Sequence, residues 1–193
     1  MVPRFVHVVW VALVPALLGG CGTPAPSRFY SLDAPATGSG TLSARCAVVV
    51  EPVSIPASVD RPQFLVRIAP NWADVDEFNP WVAPLGNQIA DAVTANLAAL
   101  LGTPNVATAP SANSDYRVLV NVQRFESVRG QTALLGAVWT VQETGNNPPH
   151  SSRTIAREIV HGEGFDALAA GFSRALATLS TEIAQAIRSD IGS

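Results

Sequence analysis

Two cysteines, three histidines and one serine in a near-match to a nucleophile motif are the side chains in this 193-residue sequence best suited to covalent or acid–base chemistry. Gly171-Phe172-Ser173-Arg174-Ala175 approaches the G-x-S-x-G elbow, which works only where a sharp strand-to-helix turn exposes the serine. Here Ser173 stands between Phe172 and Leu176 of an amphipathic helical pattern, and a packed helix residue is the better reading. His150 falls in the Pro- and Asn-rich turn "TGNNPPHSS", and His161 at a strand end two residues before Glu163. A His–Glu pair supplies two ligands, too few for a zinc site. Asp74, Asp76 and Glu77 in "DVDEF" lack the spacing of a calcium loop and read as a solvated loop. Lysine is absent from the sequence, so a Walker lysine and Schiff-base catalysis are both excluded. No catalytic residue, metal site or bound cofactor is expected.

One cysteine has a different chemistry. Met1 to His7 carries Arg4 and the terminal amine, and Phe5 to Leu18 is mostly apolar, a run too short for the roughly 20 residues that cross a bilayer. A charged start, a short apolar middle and small residues at the end fit a secretory signal peptide over residues 1–20. Its end, Leu18-Gly19-Gly20-Cys21, resembles the bacterial lipobox: an aliphatic residue, two small ones, then cysteine. That resemblance implies a diacylglycerol on the Cys21 thiol, cleavage before Cys21 and acylation of the new amine. Several acyl chains, each contributing about 0.8 kcal/mol per buried CH₂, hold a chain on a membrane almost permanently. Residues 21–44, rich in Gly, Pro and Ser, then read as the acylated N-terminus and a linker. Cys46 lies in the apolar run "CAVVV" and, with Cys21 acylated, lacks an internal disulfide partner; a buried, inert thiol is expected.

The elements that would position these residues follow from periodicity. "CAVVVEPVSI" and "QFLVRIA" read as strands joined by "PASVDRP". In "DYRVLVNVQRF", Tyr116, Val118, Val120 and Val122 share one face, and "TALLGAVWTVQE" and "RTIAREIVH" complete a three-stranded antiparallel meander. A helix runs to Leu101 from near Pro84, with an Asn79-Pro80 cap as the alternative start, and places Leu85, Ile89, Val93, Leu97 and Leu100 on one stripe, with Gly102 and Pro104 stopping it. A second begins near Asp166 and places Leu168, Phe172, Leu176, Leu179, Ile183 and Ile187 together. The prediction is an α+β fold: a mixed, largely antiparallel β-sheet covered by two long amphipathic helices in a single domain over residues 45–193. The formal net charge of −3 argues against a nucleic-acid partner.

Read in order, "RFYSLDAP", "EPVSIPASVDRPQFLVRI", "NPWVAPLGNQIADAVTANLAALLG", "DYRVLVNVQRFES" and "GFDALAAGFSRALATLSTEIAQAI" resemble the ABC-transport auxiliary lipoproteins, the PqiC-like family. The resemblance covers nearly the whole chain after the signal. It implies a non-catalytic envelope lipoprotein working beside a periplasmic MCE-domain protein and inner-membrane transporter subunits in lipid transport. A homo-oligomer is left open. The expected location is the periplasmic face of the outer membrane, because Gly22 stands where enteric-type inner-membrane lipoproteins carry Asp. The competing reading, an envelope hydrolase acting on lipid or peptidoglycan, would need Ser173 or the histidines. Partner-contact candidates are Phe29, Tyr30 and Arg61. For Phe29 and Tyr30 the alternative is an edge strand whose aromatics pack on the sheet, and for Arg61 a solvated turn. Trp81 and Trp139 are expected in the core.

Overall fold

A computed structural model of the chain describes residues 27–38, 46–109, 114–128, 130–145 and 148–191. The signal segment and Cys21 lie outside the described residues.

Strand β1 spans Val48–Val50, β2 Gln63–Ala69 and β3 Trp72–Pro80; helix α1 covers Leu85–Leu101. Then come β4 (Val106–Ala107), β5 (Tyr116–Val128), β6 (Thr132–Glu143), β7 (His150–Ile159) and helix α2 (Gly164–Ile191). The seven strands form one mixed sheet, with the predicted meander β5–β6–β7 antiparallel throughout. The other edge of β5 is shared: β1 pairs with it in parallel at Tyr116–Val118, and β2 in parallel at Ser127 and Val128. β4 extends the sheet beyond β1, and β3 beyond β2.

The alternation of β5 dictates which face is covered. Tyr116, Val118, Val120 and Val122 are buried, the register then slips between Val122 and Arg124, and Phe125 and Ser127 take over the inward positions. One extra residue in a strand shifts the two-residue period by a single step, as a β-bulge does. Helix α2 packs over β6 and β7 with α1 beside it, and α1 also touches β1. The Phe125 and Phe172 rings stack at 3.7 Å, joining sheet to helix. Gly171 allows that approach, because a Cβ there would sit 3.0 Å from the Ala133 Cβ. Leu119, Ile155 and Ile159 on the opposite sheet face are exposed, so the helices cover one side only.

Three local expectations are corrected. "DVDEF" is not a loop: it is the middle of β3, paired antiparallel with Phe64, Leu65 and Val66 of β2. "CAVVVEPVSI" keeps regular strand geometry only at Val48–Val50, since Pro52 has no N–H for a ladder; Ser54 rejoins β5 through an isolated bridge to Asn121. His150 is the first residue of β7 and not part of a turn, with its ring 5.6 Å from that of Trp139. The helix limits are close to those predicted. Pro84 occupies the N-cap of α1, and Gly102 ends it in the left-handed conformation at φ 66°.

Candidate functional site

The region that links the N-terminal segment to the domain is built from the edge of β3 outward. Arg28 donates its N–H to the Phe78 carbonyl at 3.0 Å, Tyr30 donates to Pro80 at 3.0 Å, and Val82 donates back to Tyr30 at 2.8 Å. Residues 28–30 thereby lie parallel to the end of β3, with Tyr30 opposite Trp81. The Tyr30 ring meets Phe64 edge-on at 5.6 Å and Phe165 at 5.9 Å, and its hydroxyl donates to Asn79 Oδ1 at 3.0 Å. Phe64 is stacked on Trp81 at 3.9 Å, so one aromatic cluster joins the N-terminal segment, β2 and the start of α2.

Beyond Tyr30 the chain crosses the helix layer and is held by three buried polar side chains. Leu32 donates its N–H to Gln88 Oε1 at 3.1 Å, Asp33 to Ser173 Oγ at 2.9 Å, and Ala36 to Asn96 Oδ1 at 2.9 Å. Gln88 and Asn96 come from α1 and Ser173 from α2, and all three are buried. A buried amide or hydroxyl must find a partner, and an extended backbone has N–H groups to offer. Gln88 also donates to Ala83 O at 2.8 Å, while Ser173 donates to Ala169 O at 3.0 Å. Residues 30–36 form a strap stitched onto both helices.

The strap separates the two aromatic contact candidates. Tyr30 is half-buried in the cluster, whereas Phe29, facing the other way along an extended segment, is 66% exposed. Arg61 is exposed in the turn before β2 and lines an open depression of about 370 Å³ with Asp60, Trp81 and Val82. A second depression, about 480 Å³, lies between Arg28, Phe78 and the start of α2. Trp81 and Trp139 are buried, 5% and 3% exposed, as expected of core residues.

The side chains considered for catalysis are dispersed. Ser173 Oγ is engaged by the strap and by its own helix, in the interior of α2 and away from any strand-to-helix turn. His150 opens β7 and His161 follows its end, about 35 Å apart for an extended chain. Among the described residues, no group of three His, Cys, Asp or Glu side chains could hold a metal ion. Cys46 is a free, half-buried thiol whose pKa is pushed up to about 11, first by desolvation and then by the Asp115 carboxylate. Glu126 is held below the ordinary glutamate range, chiefly by hydrogen bonds from Arg124, with Arg67 adding a second cation at 3.1 Å. No described helix is long and apolar enough to cross a membrane.

Comparison with known proteins agrees with this geometry. The family model described as "ABC-type transport auxiliary lipoprotein component" matches residues 30–184, from Tyr30 of the strap into α2. No curated protein matches the sequence. A solved structure of an uncharacterised protein superposes with a TM-score of 0.72 at 20% identity, covering 84% of this chain and 99% of that one. A Xanthomonas campestris protein superposes with a TM-score of 0.69 at 21% identity, covering 86% of this chain and all of that one, 100%. At such identities the superpositions speak for the fold.

Proposed function

The chain belongs to the ABC-type transport auxiliary lipoprotein family, and we propose that it is a non-catalytic lipoprotein subunit of an MCE/Pqi-type lipid transport complex. In this reading Cys21 carries the acyl chains and the domain stands at the periplasmic face of the outer membrane. There it docks the MCE-domain protein, whose inner-membrane partners drive transport, and supports envelope integrity. The observation that carries the reading is the family match over residues 30–184, which takes in the whole strap, the sheet, α1 and most of α2. The strap gives the anchor a mechanical purpose, because load on the tether passes through the backbone bonds of Arg28 and Tyr30 to the β3 edge, and through those of Leu32, Asp33 and Ala36 to both helices. Docking requires surfaces, not a reactive group, and Ser173 is already committed to the strap.

The test is complementation of a strain lacking the gene, scored by survival in detergent. The native chain restores survival, Cys21→Ser does not, and Ser173→Ala does, provided it accumulates normally. Labelling with radioactive palmitate should disappear in Cys21→Ser. Loss of survival in a Ser173→Ala variant that stays folded and membrane-bound, and keeps the native exchange rates of the Leu32 and Ala36 amides, would replace the docking reading with a hydrolase.

A further inference from the structure

At the end of β3, next to the point where the tether joins the domain, three apolar side chains face water. Phe29 is 66% exposed, Phe78 52% and Val82 59%. Backbone pairing holds their segments side by side, through the bonds from Arg28 N to Phe78 O and from Val82 N to Tyr30 O. Tyr30 and Trp81 turn their rings inward to Phe64, so their neighbours Phe29 and Val82 are presented outward by the alternation of extended chain. Exposed apolar side chains grouped on paired segments mark a contact surface more often than scattered ones do.

The tether determines what this surface meets. Between Cys21 and Phe29 the chain can extend no more than about 29 Å, and Phe29 itself is locked onto the domain by the bonds flanking it. A lipid-bearing cysteine at headgroup level therefore keeps Phe29 within about 29 Å of the membrane surface at all times, about the thickness of one bilayer's hydrocarbon core. Other exposed apolar residues, such as Ile155 and Ile159, lie on β7, which pairs with β6 and not with residues 28–30. Arg28 lies beside Phe78 and Arg61 beside Val82, but so do Asp76, Glu163 and Asp166 on the one side and Asp60 on the other. That mixture gives no preference for anionic lipid and leaves apolar burial as the attraction.

We infer that Phe29, Phe78 and Val82 form an apolar foot that enters the membrane interface beside the anchor and fixes which side of the domain faces away from the bilayer. The inference rests on acylation of Cys21. A fixed foot would leave the far end of α2, about 39 Å along the helix from Phe165, pointing into the periplasm.

The experiment uses the acylated full-length protein carrying Cys46→Ser, with a single polarity-sensitive fluorophore placed through Phe78→Cys or, as a control, Gln185→Cys. Each protein is reconstituted into phosphatidylethanolamine–phosphatidylglycerol vesicles containing brominated acyl chains and floated on a density gradient. The expected result is a blue shift and bromine quenching at position 78, with neither at position 185, where the helix surface is exposed. An unquenched, water-like label at position 78 in floated protein would overturn the foot and leave the anchor intact. Quenching at both positions would also overturn it, since the domain would then lack a fixed orientation. A blue shift at position 78 that appears without vesicles and grows with protein concentration would assign the patch to a second copy instead. Protein that fails to float would refute acylation at Cys21, and the foot with it.

Discussion

Replacing Phe64 with leucine should loosen the strap as well as the core. The Phe64 ring is 1% exposed and meets three others: Trp81 stacked at 3.9 Å, Phe165 at 5.1 Å and Tyr30 edge-on at 5.6 Å. Leucine keeps an apolar side chain but removes all three ring pairings, each worth about 0.5–1.5 kcal/mol beyond area burial. With partial relaxation around the smaller side chain, Phe64→Leu should cost roughly 2–4 kcal/mol. A domain of this size has only about 5–15 kcal/mol in total. The assay is urea unfolding followed by far-ultraviolet circular dichroism, because Trp81 fluorescence would change with its stacking partner. In a double-mutant cycle with Tyr30→Leu, the pair should couple by about 0.5–1.5 kcal/mol. The amides of Leu32, Asp33 and Ala36, donated to Gln88, Ser173 and Asn96, should also exchange faster in Phe64→Leu. Strictly additive effects together with unchanged exchange at those amides would refute the idea that the aromatic cluster seats the strap.

Two further predictions concern titration. With its pKa at about 11, the Cys46 thiol should be roughly 0.1% thiolate at pH 8, so iodoacetamide should label it on the order of a hundredfold more slowly than a free cysteine of pKa about 8.5; labelling at the free rate would show that Cys46 is solvated. Glu126 has a depressed folded pKa, so its ion pairs stabilise above the unfolded value of 4.5 and are lost as pH falls through the folded value. Glu126→Gln should therefore lower stability at pH 7 by less than about 1 kcal/mol, as for partly exposed pairs, and the difference should shrink steadily as pH falls below the unfolded value; a penalty that stays constant down the whole acid limb would point to packing instead.

Periodic elements were legible because one face is buried, and the rest were not for the converse reason. β5 and both helices carry their core residues at regular spacing, so the inward residues could be read directly from the sequence. β3 has no such signature. Its segment "WADVDEFNP" is mostly exposed or half-buried at the sheet edge, and the backbone bonds to β2 make it a strand, not its side chains. β1 looked longer because Val53 and Ile55 are apolar, yet Pro52 interrupts its ladder. The strap was hidden by its own composition, "SLDAPA", which resembles a linker. A signal for it existed on the other side of the contact. Gln88 and Asn96 interrupt the apolar face of α1, and Ser173 that of α2, and buried polar residues on a helical stripe require a partner from elsewhere in the chain.

The central claim, that this domain is a docking subunit of a lipid transport complex, is tested most directly by affinity purification of the acylated protein from detergent-solubilised envelopes. The account predicts an MCE-domain protein in the eluate, retained by the native chain and by Ser173→Ala. An eluate without any MCE-domain protein, from chain that is folded, acylated and membrane-bound, would contradict it.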